Sequence, residues 1–274
     1  MRGIEAAAPT TPATPPSRLA AVLLGIGIVG LFVLAQFLVA GAIALVGGSI
    51  DLSPLGTRDA LLLVVLQLGT AALGVLLVLA WCGWSAIALP GRRGDGWRGF
   101  LALLPVGLLV LVPGIAIAIS EGDAIDPSLT PGRAVAVVVL AFAIGFNEEL
   151  WFRGLLVARL GAERAPWLTV FASAALFGLP HLSDSSASWL NAAGVMLAIG
   201  IPFGVVRMRR RALGPLIAWH GLIDAWAFLH TASITVTGTP TAAEAVGALV
   251  LPALLALSYL AWLRRGIRQG LVTP

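Results

Sequence analysis

Lysine is absent from this chain, and all 17 of its basic residues are arginines. Charge of either sign is scarce, at 11% of 274 residues, against about 25% in an ordinary soluble domain. With 59% hydrophobic residues and a mean hydropathy of +0.98, that scarcity excludes a soluble fold, which could not hide so much apolar surface. The single cysteine, Cys82, excludes an intramolecular disulfide. It lies in an apolar segment and reads as filler. The sequence pI near 10.9 invites a nucleic-acid reading. However, the arginines fall in short loops between apolar runs and form no DNA-binding face, so no nucleic-acid partner is expected. A leader is not expected either, because the run Leu19 to Val46 is too long for a signal-peptide core and lacks a cleavage site.

What is present is a series of apolar runs. About 20 apolar residues cross a bilayer as a helix, and eight runs fit that ruler: 19–47, 60–83, 99–120, 132–158, 166–182, 189–207, 213–231 and 245–263. The expected fold class is all-α: a polytopic membrane helix bundle of about eight transmembrane helices, with both termini cytoplasmic. Residues 1–18 read as a disordered Ala/Pro/Thr-rich tail. Residues 19–131 hold transmembrane helices 1–3, residues 132–231 hold helices 4–7, and residues 245–274 hold the last helix and a basic tail.

Arginine placement supports this topology. Arg2, Arg18, Arg92, Arg93, Arg98, Arg159, Arg164, Arg207, Arg209, Arg210, Arg211, Arg264, Arg265 and Arg268 fall at one set of ends. The alternate loops hold only Arg58 and Arg133, as the positive-inside rule requires. The cluster "RMRRR" (Arg207 to Arg211) therefore reads as a topology anchor, with an anionic-lipid headgroup site as the alternative. Trp81, Trp84, Trp97, Trp167, Trp189 and Trp262 lie near span ends, where amphipathic rings collect.

Ionisable residues inside the apolar runs are expensive and therefore informative. They are Glu148, Glu149, Arg153, His181, His220 and Asp224, with His230 near a span end. Glu149 and Arg153 are four apart and can pair on one face. Glu148 is turned about 100° from Glu149, so it can face another cavity, free of the arginine. His220 and Asp224, also four apart, can point into one site. His181 ends "FGLPH", where Phe177 lies one turn behind it and Pro180 distorts the helix. Gly200 and Gly204 form a small-xxx-small pattern that allows close helix approach.

Two chemistries fit these residue types. Carboxylates and neutral imidazoles are ordinary ligands of a divalent metal, zinc above all. Alternatively, Glu148 acts as general base on a water with the histidines as donors. Serine, threonine and cysteine are not convincingly placed among them, which argues against a covalent nucleophile. The bland alternatives are a structural ion pair and histidines that merely bond between helices.

"EELWFR" (Glu148 to Arg153) resembles the EExxxR motif of the CPBP family of intramembrane proteases, which includes type II CAAX prenyl endopeptidases and bacteriocin-immunity (Abi) homologues. "FGLPH" (Phe177 to His181) resembles its FxxxH motif, and "HGLID" (His220 to Asp224) its HxxxN/D motif. The likeness runs over about residues 135 to 230. It implies that Glu148 activates the attacking water, that His181, His220 and Asp224 line the same site, and that Glu149, Arg153 and Phe177 support it. It also implies a glutamate-dependent endopeptidase acting on a membrane-associated protein or peptide. Members are usually called metalloproteases, which would make Glu148, His181, His220 and Asp224 the ligands of one zinc ion. The prenyl protease has asparagine where this chain has Asp224, and the added negative charge favours a metal. An all-arginine, Ala/Gly/Leu/Val-rich chain suggests a high-GC bacterium and its inner membrane, where a prenylated CAAX protein is not the expected target. Two rivals stay open: a catalytically idle scaffold or self-immunity protein of the same fold, and a small ion-binding transporter. The transporter would be expected to show internal repeats, and the halves of the chain do not match.

Overall fold

The computed structural model describes residues 18–45, 56–83, 94–121, 129–160, 165–183, 188–230 and 242–272. The tail up to Ser17 and the loop positions Asp51, Arg92, Arg93, Asp123, Asp126, Arg164 and Asp184 lie outside them. Among the described residues every regular element is helical. In chain order these are α1 (Arg18–Leu45), α2 (Thr57–Trp81), α3 (Asp95–Ala102), α4 (Leu104–Glu121), α5 (Pro131–Glu149), α6 (Val157–Arg159), α7 (Pro166–Gly178), α8 (Ser188–Val195), α9 (Ile201–Arg210), α10 (Gly214–Leu229) and α11 (Ala242–Arg268). A π-helical segment, Leu150–Leu156, joins α5 to α6 without a break, and another, Met196–Gly200, joins α8 to α9.

Each of the eight apolar runs is helical over most of its described residues, but the helices are not equally long. Among the described residues, five helices are long and apolar enough to cross a membrane, or six if α3 and α4, bent by 43°, make one span. The 13 residues of α7 and 16 of α10 rise only about 20 Å and 24 Å, short of the roughly 30 Å hydrocarbon core. Both short helices carry motif residues. A bundle can accommodate them where a polar cavity, rather than lipid, meets their ends.

Local sequence explains the breaks. Thr130 caps α5, its hydroxyl accepting from the Arg133 amide at 3.3 Å, and Pro131 opens the first turn, where its missing N–H costs nothing. At the kink between α3 and α4, side chains of other helices add hydrogen bonds to backbone carbonyls. The Trp219 indole donates to the Phe100 carbonyl at 2.8 Å, and the Tyr259 hydroxyl donates to that of Ala102. Pro180 acts as expected: the α-helix tightens into a 3-10 turn, Leu179–Ser183, that carries His181.

The centre of the bundle is α5 with its π continuation. Within the apolar window of Pro131–Arg159, 61% of residues are buried, against 22% in α1 and 22% in α11. The peripheral helices instead expose Phe37, Leu45, Leu254 and Leu257, as lipid-facing helices do. Neutral polar groups tie the outer helices inward, a use of amides common between membrane helices. Asn147 of α5 donates to Gln67 of α2 at 2.6 Å, and Gln36 of α1 donates to the same oxygen at 3.3 Å.

The α5 and α10 helices approach each other closely. A Cβ on Gly145 would stand 3.0 Å from the Gly221 amide nitrogen and 3.2 Å from the His220 Cβ, and one on Gly221 would stand 2.6 Å from the Phe142 ring. These glycines set the distance between the helix bearing the glutamates and the helix bearing His220. The expected contact of Gly200 and Gly204 is also present, against Ala174 and Val170 of α7. Gly145→Val should therefore push α5 and α10 apart and lose about 1–3 kcal/mol, the usual cost of overpacking. An unfolding midpoint in detergent equal to wild type would contradict this packing.

Candidate active site

The π segment begins one residue after Glu149, within the first glutamate motif. Its wider i→i+5 turn is a local departure that tends to occur at functional sites. Two of its carbonyls are held from outside. The Ser173 hydroxyl of α7 donates to the Phe152 carbonyl at 3.3 Å, and Arg207 Nε of α9 donates to the Arg153 carbonyl at 3.0 Å.

The paired glutamates diverge as their spacing requires. Glu149 has no exposed surface and binds Arg153, equally buried, Oε1 to Nη1 at 2.9 Å. The same Oε1 accepts from His220 Nδ1 at 2.9 Å. Since a carboxylate can only accept, Nδ1 carries the hydrogen, and Nε2 is the nitrogen left to face the interior. His220 Nε2 lies 3.5 Å from Asp224 Oδ2 and 3.8 Å from Glu148 Oε2. Glu148, with 24% of its side chain exposed, turns away from Arg153 into a cavity of roughly 220 Å³. Phe32, Phe152, Phe177, Pro180 and His181 line that cavity with it.

Aromatic rings close the buried side. The Arg153 guanidinium lies 4.0 Å over the Phe177 ring and 5.7 Å from that of Phe203, an arrangement that favours a desolvated cation. Phe177 also meets His181 and His220 edge to face, with centroids 5.8 and 5.7 Å apart. Phe177 is thus a wedge between both histidines and the arginine, which explains an aromatic one turn before His181.

The structure brings together all seven residues singled out: Glu148, Glu149, Arg153, Phe177, His181, His220 and Asp224. His230 stands apart at the end of α10, its ring centroid 5.2 Å from that of Trp226. Three contributors were not foreseen. Phe32 comes from α1, distant in sequence, and its ring lies 5.6 Å from those of Trp151 and Phe152. Ser173 is one serine in an apolar helix. Arg207, grouped by sequence with the loop arginines, is instead buried and bridges the π segment to the Arg211 carbonyl, 2.5 Å from its Nη1. Its position at the end of the apolar run "IPFGVV", ahead of the other arginines, was the signal available.

The donor types of Glu148, His181, His220 and Asp224 suit a divalent metal, and His220 Nε2 lies 3.5 Å from an oxygen of Asp224 and 3.8 Å from one of Glu148. Among the described residues, no three histidine, cysteine, aspartate or glutamate side chains form a group that could hold an ion. The His220 nitrogen engaged by Glu149 is Nδ1, which leaves Nε2 as the one that would hold an ion.

The structure is thus an all-helical bundle with several candidate membrane spans and a carboxylate–imidazole cluster beside an internal cavity. Residues 130–226, the stretch holding every motif, match a family model described as Rce1-like, type II CAAX prenyl endopeptidase Rce1-like. This match is consistent with the CPBP family of intramembrane proteases. Comparison with curated proteins and with solved structures gave no match.

Because Arg153 neutralises a fully buried carboxylate, Arg153→Met should destabilise the folded protein by about 3–5 kcal/mol, the cost of stranding a buried charge. The double change Glu149→Leu with Arg153→Met should recover part of that loss. Unfolding midpoints that fall equally for both variants would contradict the pairing.

Proposed function

We propose that this protein is an intramembrane endopeptidase that hydrolyses a peptide bond of a membrane-associated protein or peptide with water activated by Glu148. One observation carries the reading: Glu148 and His181 share a cavity while Glu149, one residue away, is held through its Oε1 by both Arg153 and His220. A carboxylate with room for water beside it is suited to act as general base. A buried carboxylate held by an arginine and a histidine is suited to hold geometry.

In the proposed reaction, Glu148 takes a proton from a water in the cavity, and the water oxygen adds to the scissile carbonyl carbon. His181 and His220 Nε2 face the oxygen on which negative charge gathers, as hydrogen-bond donors when protonated. Glu148 then passes its proton to the amide nitrogen, the C–N bond breaks, and a carboxylate and an amine leave. Asp224 orients His220 from the following turn. The reaction as proposed routes no step through a metal, and metal analysis of the purified active protein decides whether the expected zinc accompanies it. Eight crossings of a bacterial inner membrane with both termini cytoplasmic would open the cavity toward the cytoplasm.

Glu148→Gln should fold and insert normally yet lose activity by about 10²–10⁴-fold, the usual contribution of a positioned base. The measurement compares newly formed peptide termini in membranes of cells carrying wild type or the variant at matched expression. Termini that vanish with the variant would establish proteolysis and identify substrates. Termini unchanged between the two, with the cellular phenotype intact, would contradict it in favour of a non-catalytic scaffold or immunity protein. Ion flux in sealed liposomes would point instead to a transporter.

A further inference from the structure

The arginine cluster at the end of α9 divides in two. Arg207 turns inward, whereas Arg209 and Arg210 turn toward the C-terminal end of α11. Their guanidinium carbons lie 4.9 and 5.5 Å from the ring of Trp262. The Arg209 guanidinium occupies a notch in α11 that exists only because residue 266 is glycine. A Cβ there would stand 1.7 Å from its Nη1 and 2.6 Å from its Cζ. Arg264, Arg265 and Arg268 stand exposed around the notch. Among the described residues no carboxylate pairs with Arg209, Arg210, Arg264, Arg265 or Arg268. The buried Arg209 Nη1 and Arg210 Nε have no hydrogen-bond partner.

Two guanidiniums against one indole, with three more on the facing helix, repel one another unless an anion joins them. The depth identifies the kind of anion. Leu251, Leu254 and Leu257 of α11 are exposed, as on a lipid-facing surface. Arg264 lies seven residues beyond Leu257, about 10 Å further along the axis. Trp262 sits between, the level that interfacial tryptophans occupy. We propose that Arg209, Arg210 and Arg265 bind the phosphate of an anionic phospholipid headgroup whose chains lie along α11, with Arg264 and Arg268 adding charge. Planar guanidiniums suit this task because they meet phosphate oxygens in pairs, and basic pockets between membrane helices are known headgroup sites. A zwitterionic headgroup is disfavoured, since its ammonium would face the same arginines.

The test uses the full chain in mild detergent, with bound lipid read by native mass spectrometry after adding phosphatidylglycerol, phosphatidylcholine or inorganic phosphate. Wild type should retain phosphatidylglycerol over phosphatidylcholine. Arg209→Gln with Arg210→Gln should weaken that retention by about tenfold or more, while Arg58→Gln, far from the notch, leaves it unchanged. Arg265→Gln probes the same site from the other helix should the double variant fail to insert. Gly266→Ala, which removes no charge but displaces Arg209, should also weaken retention. Equal phosphatidylglycerol binding by wild type and the notch variants would overturn the proposal. Binding of inorganic phosphate with no preference between the two lipids would assign the notch to a free anion and overturn the lipid.

Discussion

The bundle is organised around one buried oxygen. Glu149 Oε1 receives Arg153 Nη1 and His220 Nδ1, each at 2.9 Å, with none of the Glu149 or Arg153 side chain exposed. A carboxylate this deep is costly unless paired and hydrogen-bonded. Satisfying it imposes conditions on several elements at once. The α5 and α10 helices must meet closely, which Gly145 and Gly221 permit. The backbone after Glu149 must carry Arg153 back over the carboxylate, which it does within the π segment. Phe177 and Phe203 must cover the guanidinium. Misplacing Arg153 would leave a charge stranded in an apolar interior.

That node also divides the work between adjacent residues of the same type. Glu149 is spent on structure, and its bond to His220 selects which imidazole nitrogen faces Glu148 and Asp224. Glu148, about 100° further round the helix, is left beside space and beside His181. The short helices α7 and α10 serve the same division. Each is too short to span on its own, and the turn after α7 delivers His181 to the cavity.

Much of this was legible in the sequence, because helical spacing is a strong constraint on pairs within one helix. The Glu149–Arg153 pair, the His220–Asp224 face, the Pro180 distortion and the apolar character of every run follow from periodicity and from the cost of intramembrane charge. Contacts between distant segments were not legible. Nothing around Phe32 marks it as a cavity wall, and the Gln36–Gln67–Asn147 amide chain joins three runs that look merely apolar. Arg207 was hidden by its neighbours. A run of arginines has the same composition whether its first member points to water or into the core, and only the burial of α9 separates them. The small α5–α10 glycines were equally silent, since glycine is common in membrane helices for reasons other than contact.

The most direct test of the division of labour sets Glu148→Gln beside Glu149→Gln in the same purified preparation, scoring thermal unfolding and peptide hydrolysis together. Glu148→Gln should unfold at the wild-type midpoint and hydrolyse at least about a hundredfold more slowly. Glu149→Gln should lose stability and activity together. A Glu148→Gln protein that still cleaves, or a Glu149→Gln protein with wild-type stability, would contradict the roles assigned to the two glutamates.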